Sequence, residues 1–201
     1  MTASAGPALH ALFERFGGRV EFVALYVREA HPGDRYPQAH DLETKFSHAR
    51  AYQRRDRIPW TIAVDDLDGR VHRLLDSKPH LAYIVATHGR VTYRALWANH
   101  VSGIEAALQA AAADGERTLH QDQAKLQPML SGIGVMWETL ERSGPTALHD
   151  VQREAPPMWL SARVASLFRP LPPTARGLIG LAVTMAVPIV LLFAARKLRK
   201  G

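Results

Sequence analysis

The chain of 201 residues contains no cysteine. Disulfides, thiolate metal sites and a thiol nucleophile are therefore excluded, and cysteine usage says nothing about redox compartment. Internal repeats and low-complexity runs are also lacking, which argues against solenoids and arrays. Residues Met1 to Gly18 carry no signal peptide. Acidic residues are scarce at one end only. Residues 151–201 hold eight Lys and Arg against the single acid Glu154, whereas residues 1–150 hold 17 basic and 18 acidic side chains. The net charge of +6 thus belongs to the last quarter of the chain. A nucleic-acid-binding protein would place its basic patch on the folded domain, so no nucleic-acid partner is expected.

What the basic end surrounds is an apolar segment, Gly177 to Ala195, with no charge in 19 positions. A helix of that length rises roughly 28 Å, enough for a bilayer core. Arg176 flanks one end, and Arg196, Lys197, Arg199 and Lys200 crowd the other. The expectation is a single-pass membrane protein held through this C-terminal helix, with membrane lipid as a partner. The basic tail favours a cytoplasmic C-terminus with the main domain outside. The lack of a signal peptide favours a tail anchor with a cytoplasmic domain, and both topologies stand.

Hydrophobic spacing predicts an order of elements before that segment. Leu9, Leu12, Phe13 and Phe16 line one face of a helix that Gly17-Gly18 ends. Val20 to Val27 and Trp60 to Val64 are buried strands, separated by a polar-faced helix over Ala39 to Arg54. Asp65, Asp66, Asp68 and Gly69 form a turn that caps a short helix near Val71 to Leu75; the spacing does not fit a calcium loop. Leu81 to Ala86 and Arg90 to Leu96 make a hairpin turning at Gly89, and Val101 to Ala113 is a helix. Gln123 to Glu141 is amphipathic, with Leu126, Leu130, Ile133, Trp137 and Leu140 on one face. Met158 to Phe168 is a basic amphipathic helix that either lies at a membrane interface or packs on the domain. The expected class is α/β: an N-terminally truncated thioredoxin-like sandwich in residues 1–115, a helical membrane-proximal region in 116–170, and the transmembrane anchor in 171–201.

Two blocks carry a family resemblance. The first is EFVALYVREAHPGD, Glu21 to Asp34; the second is VDDLDGRVHRLLDSKPHLAYIV, Val64 to Val85. With the GRVTYRALW strand they resemble the iodothyronine deiodinases, a branch of the thioredoxin-fold redoxins, over about residues 9–113. The resemblance implies thiol- or selenol-dependent reduction, with the cysteine or selenocysteine in a loop between a first strand and first helix. That loop has no counterpart here, and a start codon chosen too far downstream would account for the abrupt beginning. The resemblance also implies that His31 assists near the nucleophile. Pro79 falls where thioredoxin-like folds usually carry a cis proline facing the site. Arg35-Tyr36 replaces the family's residues after Asp34, which departs from thyroid-hormone specificity.

Candidate catalytic residues are thus His31 and Glu29, and candidate substrate-binding residues are Pro79 and Tyr36. Reductive dehalogenation needs a soft, low-pKa nucleophile, with an imidazole to move protons near neutrality. Glu29 is read equally as a structural partner of Arg28 or His31. His72, His80 and His88 recur every eight residues and share no helix face, so no metal or cofactor is expected. Two functions follow: a membrane-anchored deiodinase-like redoxin that uses a thiol reductant, or a redox-inactive thioredoxin-fold module that binds a protein partner or small aromatic ligand at the membrane.

Overall fold

The computed structural model describes residues 2–29, 32–78, 80–113 and 120–198, with side chains in the first and last helices described from residue 6 and up to residue 186. The chain is α/β. Helix α1 (Thr2–Phe16) leads into strand β1 (Val23–Tyr26), followed by α2 (Leu42–Arg55), β2 (Thr61–Val64) and the short α3 (Arg70–Leu74). The hairpin β3 (Ala82–Val85) and β4 (Val91–Ala95) comes next, then α4 (Val101–Ala111) and β5 (His120–Asp122). Four helices complete it: α5 (Leu126–Ser143), α6 (Pro145–Glu154), α7 (Pro156–Ser166) and α8 (Pro173–Leu198).

Strands β1 and β2 pair in parallel, from Val23 with Thr61 to Tyr26 with Val64, as the intervening helix requires. The hairpin is antiparallel, turning at Gly89 with a φ of 84°. Strand β5, which hydrophobic spacing does not reveal, runs parallel to β4. Among the described residues five strands form two separate sheets, β1-β2 and β3-β4-β5, rather than the single mixed sheet of a thioredoxin-like sandwich.

Helices α1 and α4 cover the larger sheet. Leu12 and Phe16 from α1 meet Tyr93 and Ala95 of β4 and Ile104 and Leu108 of α4 in one buried cluster. The apolar face expected around Leu9 to Phe16 is therefore the one buried. Phe13, Phe22 and Trp60 meet at ring separations of 5.5 to 5.9 Å, joining α1 to the entry of the smaller sheet. After β2, Asp65 accepts hydrogen bonds from the amides of Asp66, Val71 and His72 at 2.9 to 3.0 Å. It caps α3 from outside the helix, in keeping with the turn-and-cap reading of this acidic segment.

The C-terminal half corrects the membrane expectation. No helix among the described residues is long and apolar enough to cross a membrane, so the transmembrane anchor and single-pass localisation are withdrawn. The start of α8 packs on protein. A Cβ on Gly177 would collide with the backbone of Leu130 in α5, and one on Gly180 with that of Ser161 in α7, so the glycines let helix backbones touch. Arg176, expected to anchor a membrane end, is only 7% exposed and pairs with Glu138 of α5 at 2.7 Å. Thr184 is also buried and accepts from Ser161 at 3.0 Å. On α5 the expected stripe holds for Leu130, Ile133, Trp137 and Leu140, while Leu126 is exposed. Helix α7 packs between its neighbours through Ser161, Ala162, Ala165 and Ser166, while Leu167 and Phe168 at its end are exposed.

Candidate functional site

Strand β1 ends at Tyr26, and the chain then enters the Glu-Ala-His-Pro loop. Open α/β sheets bind ligands beyond the carboxyl ends of their strands, and Glu29, three residues past the end of β1, lies on that side. Glu29 turns inward. Its carboxylate accepts from the Tyr26 hydroxyl at 2.8 Å, Gln38 Nε2 at 3.0 Å and the Ala39 amide at 3.3 Å, and meets His48 Nδ1 at 2.9 Å. The Glu29 side chain is 6% exposed and that of His48 is 11% exposed. Burial opposes charge on Glu29, yet the bonds from His48, Tyr26 and Ala39 outweigh it and hold the carboxyl below its ordinary pKa. Burial, together with the bond to Glu29, pushes the Tyr26 phenol up, so it remains the donor.

With Glu29 ionised, His48 Nδ1 carries the shared proton and Nε2 is left for proton exchange. Tyr36 stands edge-on to the His48 ring at 5.5 Å. Helix α2 presents His48 because Asp41 caps its start through the Thr44 amide at 2.7 Å. Lys45, one turn before His48, is buried and donates to the Asp66 carbonyl at 2.6 Å, fixing the helix against the end of β2.

The loop is held from the helical half. Asp34 accepts from the Thr146 amide at 2.9 Å and hydroxyl at 2.7 Å, capping α6 across 112 residues of sequence. Those bonds lower the Asp34 pKa. Gly33 lies so close to Ser143 that a Cβ would meet its backbone.

Of the four residues singled out from sequence, Glu29 and Tyr36 come together, joined by His48. His31 and Pro79, including the cis geometry expected at Pro79, lie outside the described residues. Glu29 finds its partners in Tyr26, Gln38 and His48, not in Arg28. His48 and Gln38 escaped the sequence reading because His48 belongs to a polar-faced helix 19 residues away and carries no motif. Among the described residues no group of three His, Asp or Glu could hold a metal ion. No family model matches the chain, and neither the curated proteins nor the solved structures yield a match.

Proposed function

We propose that the Glu29 site is the acid–base half of a deiodinase-like reductive centre acting on halogenated phenols. The carrying observation is the buried Glu29–His48 pair, closed by Tyr26 at the carboxyl end of a parallel strand. The sequence resemblance implies that His31, two residues on in sequence, assists near the nucleophile. A carboxylate that fixes the tautomer of a buried imidazole readies the other ring nitrogen to give or take a proton. Tyr36 supplies an aromatic edge for an aromatic substrate.

The cysteine-free chain does not carry the soft nucleophile, and the proposed reaction takes a thiol co-reactant in that role. In the reaction, a thiolate takes the halogen as the carbon–halogen bond breaks. The carbon keeps the bonding pair and receives a proton from the imidazole. A second thiol attacks the sulfenyl halide, releasing halide and forming a disulfide. One aryl halide and two thiols thus yield the arene, the disulfide and hydrogen halide.

The test is halide release from 2-iodophenol by the full chain with dithiothreitol, measured against dithiothreitol alone. The expected result is release above the thiol background that falls roughly 100-fold in Glu29→Gln, the usual size of a general-acid contribution. Release equal to background overturns the reductive reading. The second reading, a redox-inactive binding module, is favoured by the absence of cysteine. It would show as 2-iodophenol binding, followed by tryptophan fluorescence, without turnover.

A further inference from the structure

A second cluster of chemistry-bearing side chains lies where α4 begins, away from the Glu29 loop. His100 is the residue that precedes α4, and Ser102 is in its first turn. The Ser102 hydroxyl stands 3.3 Å from His100 Nε2. The other ring nitrogen, Nδ1, is hydrogen-bonded to Asp122 Oδ2 on β5. Asp122 is in turn fixed by the Tyr93 hydroxyl at 2.7 Å and by the Ala124 amide at 2.9 Å. Exposure rises along the series, from the Asp122 side chain at 10% to His100 at 25% and an exposed Ser102. A buried orienting carboxylate, a half-buried imidazole and an accessible hydroxyl are the order that nucleophilic acyl transfer needs.

Gly103 shows that the cluster is built into the fold. A Cβ there would collide with Asp122 Oδ2, His100 Nδ1 and the Tyr93 hydroxyl together, so only glycine lets the three groups converge. The first rung of the helix ladder runs from the Ile104 amide to the His100 carbonyl at 3.3 Å. The amides of Ser102 and Gly103 precede that rung and lie at the positive end of α4. The amide following a nucleophilic serine is a common donor to an acyl oxyanion. Burial works against charge on Asp122, but the bonds from Ala124, His100 and Tyr93 keep its pKa low, so it stays a carboxylate.

We propose that Ser102, His100 and Asp122 form a hydrolytic site for small carboxylic esters. Ser102 Oγ attacks the ester carbonyl carbon as its proton passes to His100 Nε2. The tetrahedral oxyanion collapses with loss of the alcohol, which takes that proton. Water, deprotonated by His100, then attacks the acyl carbonyl carbon; the carbon–Oγ bond breaks, Ser102 Oγ takes the proton back from His100 and the acid is released, so ester and water give acid and alcohol. Ser102 is the nucleophile and His100 the general base, while Asp122 is a positioning residue that holds the imidazole tautomer.

The experiment treats the full chain with a fluorophosphonate and locates the adduct by peptide mass spectrometry, alongside hydrolysis of 4-nitrophenyl acetate across pH 5 to 9. The expected adduct is on Ser102, with hydrolysis rising as pH is raised, as a general base requires. Ser102→Ala, an exposed substitution, abolishes the adduct while leaving the melting temperature unchanged. His100→Gln slows labelling about 100-fold, and Asp122→Asn alters the pH profile as well as the rate. Absence of an adduct on Ser102 in the folded wild-type chain overturns the proposal. So does a labelling rate that His100→Gln leaves unchanged, as for an ordinary surface serine. Halide release at the Glu29 site is unaffected by Ser102→Ala, which keeps the two activities separable.

Discussion

Single side chains set the pH behaviour of this protein. Burial pushes the His80 imidazole down to about 4, and its ring stacks near Trp97. The unfolded chain, with a histidine near 6.5, then binds the proton more readily than the folded one. Stability is therefore unaffected above about pH 6.5 and falls as pH drops from there toward 4. By pH 5 the loss is about 2 kcal/mol. Urea unfolding at pH 7 and pH 5 checks this, and His80→Asn is expected to flatten the difference. Asparagine is the apt replacement because His80 has a φ of 64°, a conformation asparagine tolerates. Glu29, Asp65 and Asp122 have depressed pKa values, so their contribution is present above the unfolded carboxylate range and is lost as pH falls through their folded values. The histidine window thus lies above the carboxylate window.

At the scale of elements, the two halves are held differently. Among the described residues the β1-β2 ribbon has two strands, and neither pairs with a third. Strand β4 is the centre of the other sheet, paired on both sides and covered by the α1–α4 core. Hydrogen exchange should accordingly be faster at the amides of Val23 to Tyr26 than at those of β4; equal protection would contradict this. In the helical half, Glu138→Ala would leave the buried Arg176 without its partner and cost about 3 kcal/mol. Arg169→Ala, which removes an exposed partner of the same carboxylate, should cost under about 0.5 kcal/mol. Thermal melts of the two variants make the comparison. Local periodicity was enough to read α1, α4 and α5, because each buries a regular apolar stripe; α2, β1 and β2 were located too, but the two strands are only partly buried, with Val23 57% exposed, rather than the buried strands expected. Periodicity misjudged α8 because a span of small and apolar residues looks the same whether lipid or other helices cover it. Only the approach of Gly177 and Gly180 to neighbouring backbones tells them apart. Strand β5 was invisible because His-Gln-Asp has no apolar pattern and is set by pairing with β4.

For the molecule as a whole, the site loop is where the halves join. Asp34 in that loop caps α6, and Gly33 abuts the end of α5, so the helical half positions the segment that carries Glu29. Glu29 was legible in sequence because it belongs to the motif block, and Tyr36 because it stands just past the end of that block. His48 was not, because a single histidine on a polar helix face gains meaning only when the fold brings it to a carboxylate. The central claim is that this carboxylate–imidazole pair moves a proton in thiol-dependent dehalogenation. Its most direct measurement is iodide release from 2-iodophenol with dithiothreitol, run in parallel for the wild-type chain, Glu29→Gln and His48→Asn. The account predicts release above the thiol background that both substitutions reduce to near that background. Wild-type release no faster than dithiothreitol alone, or unchanged by either substitution, would contradict it.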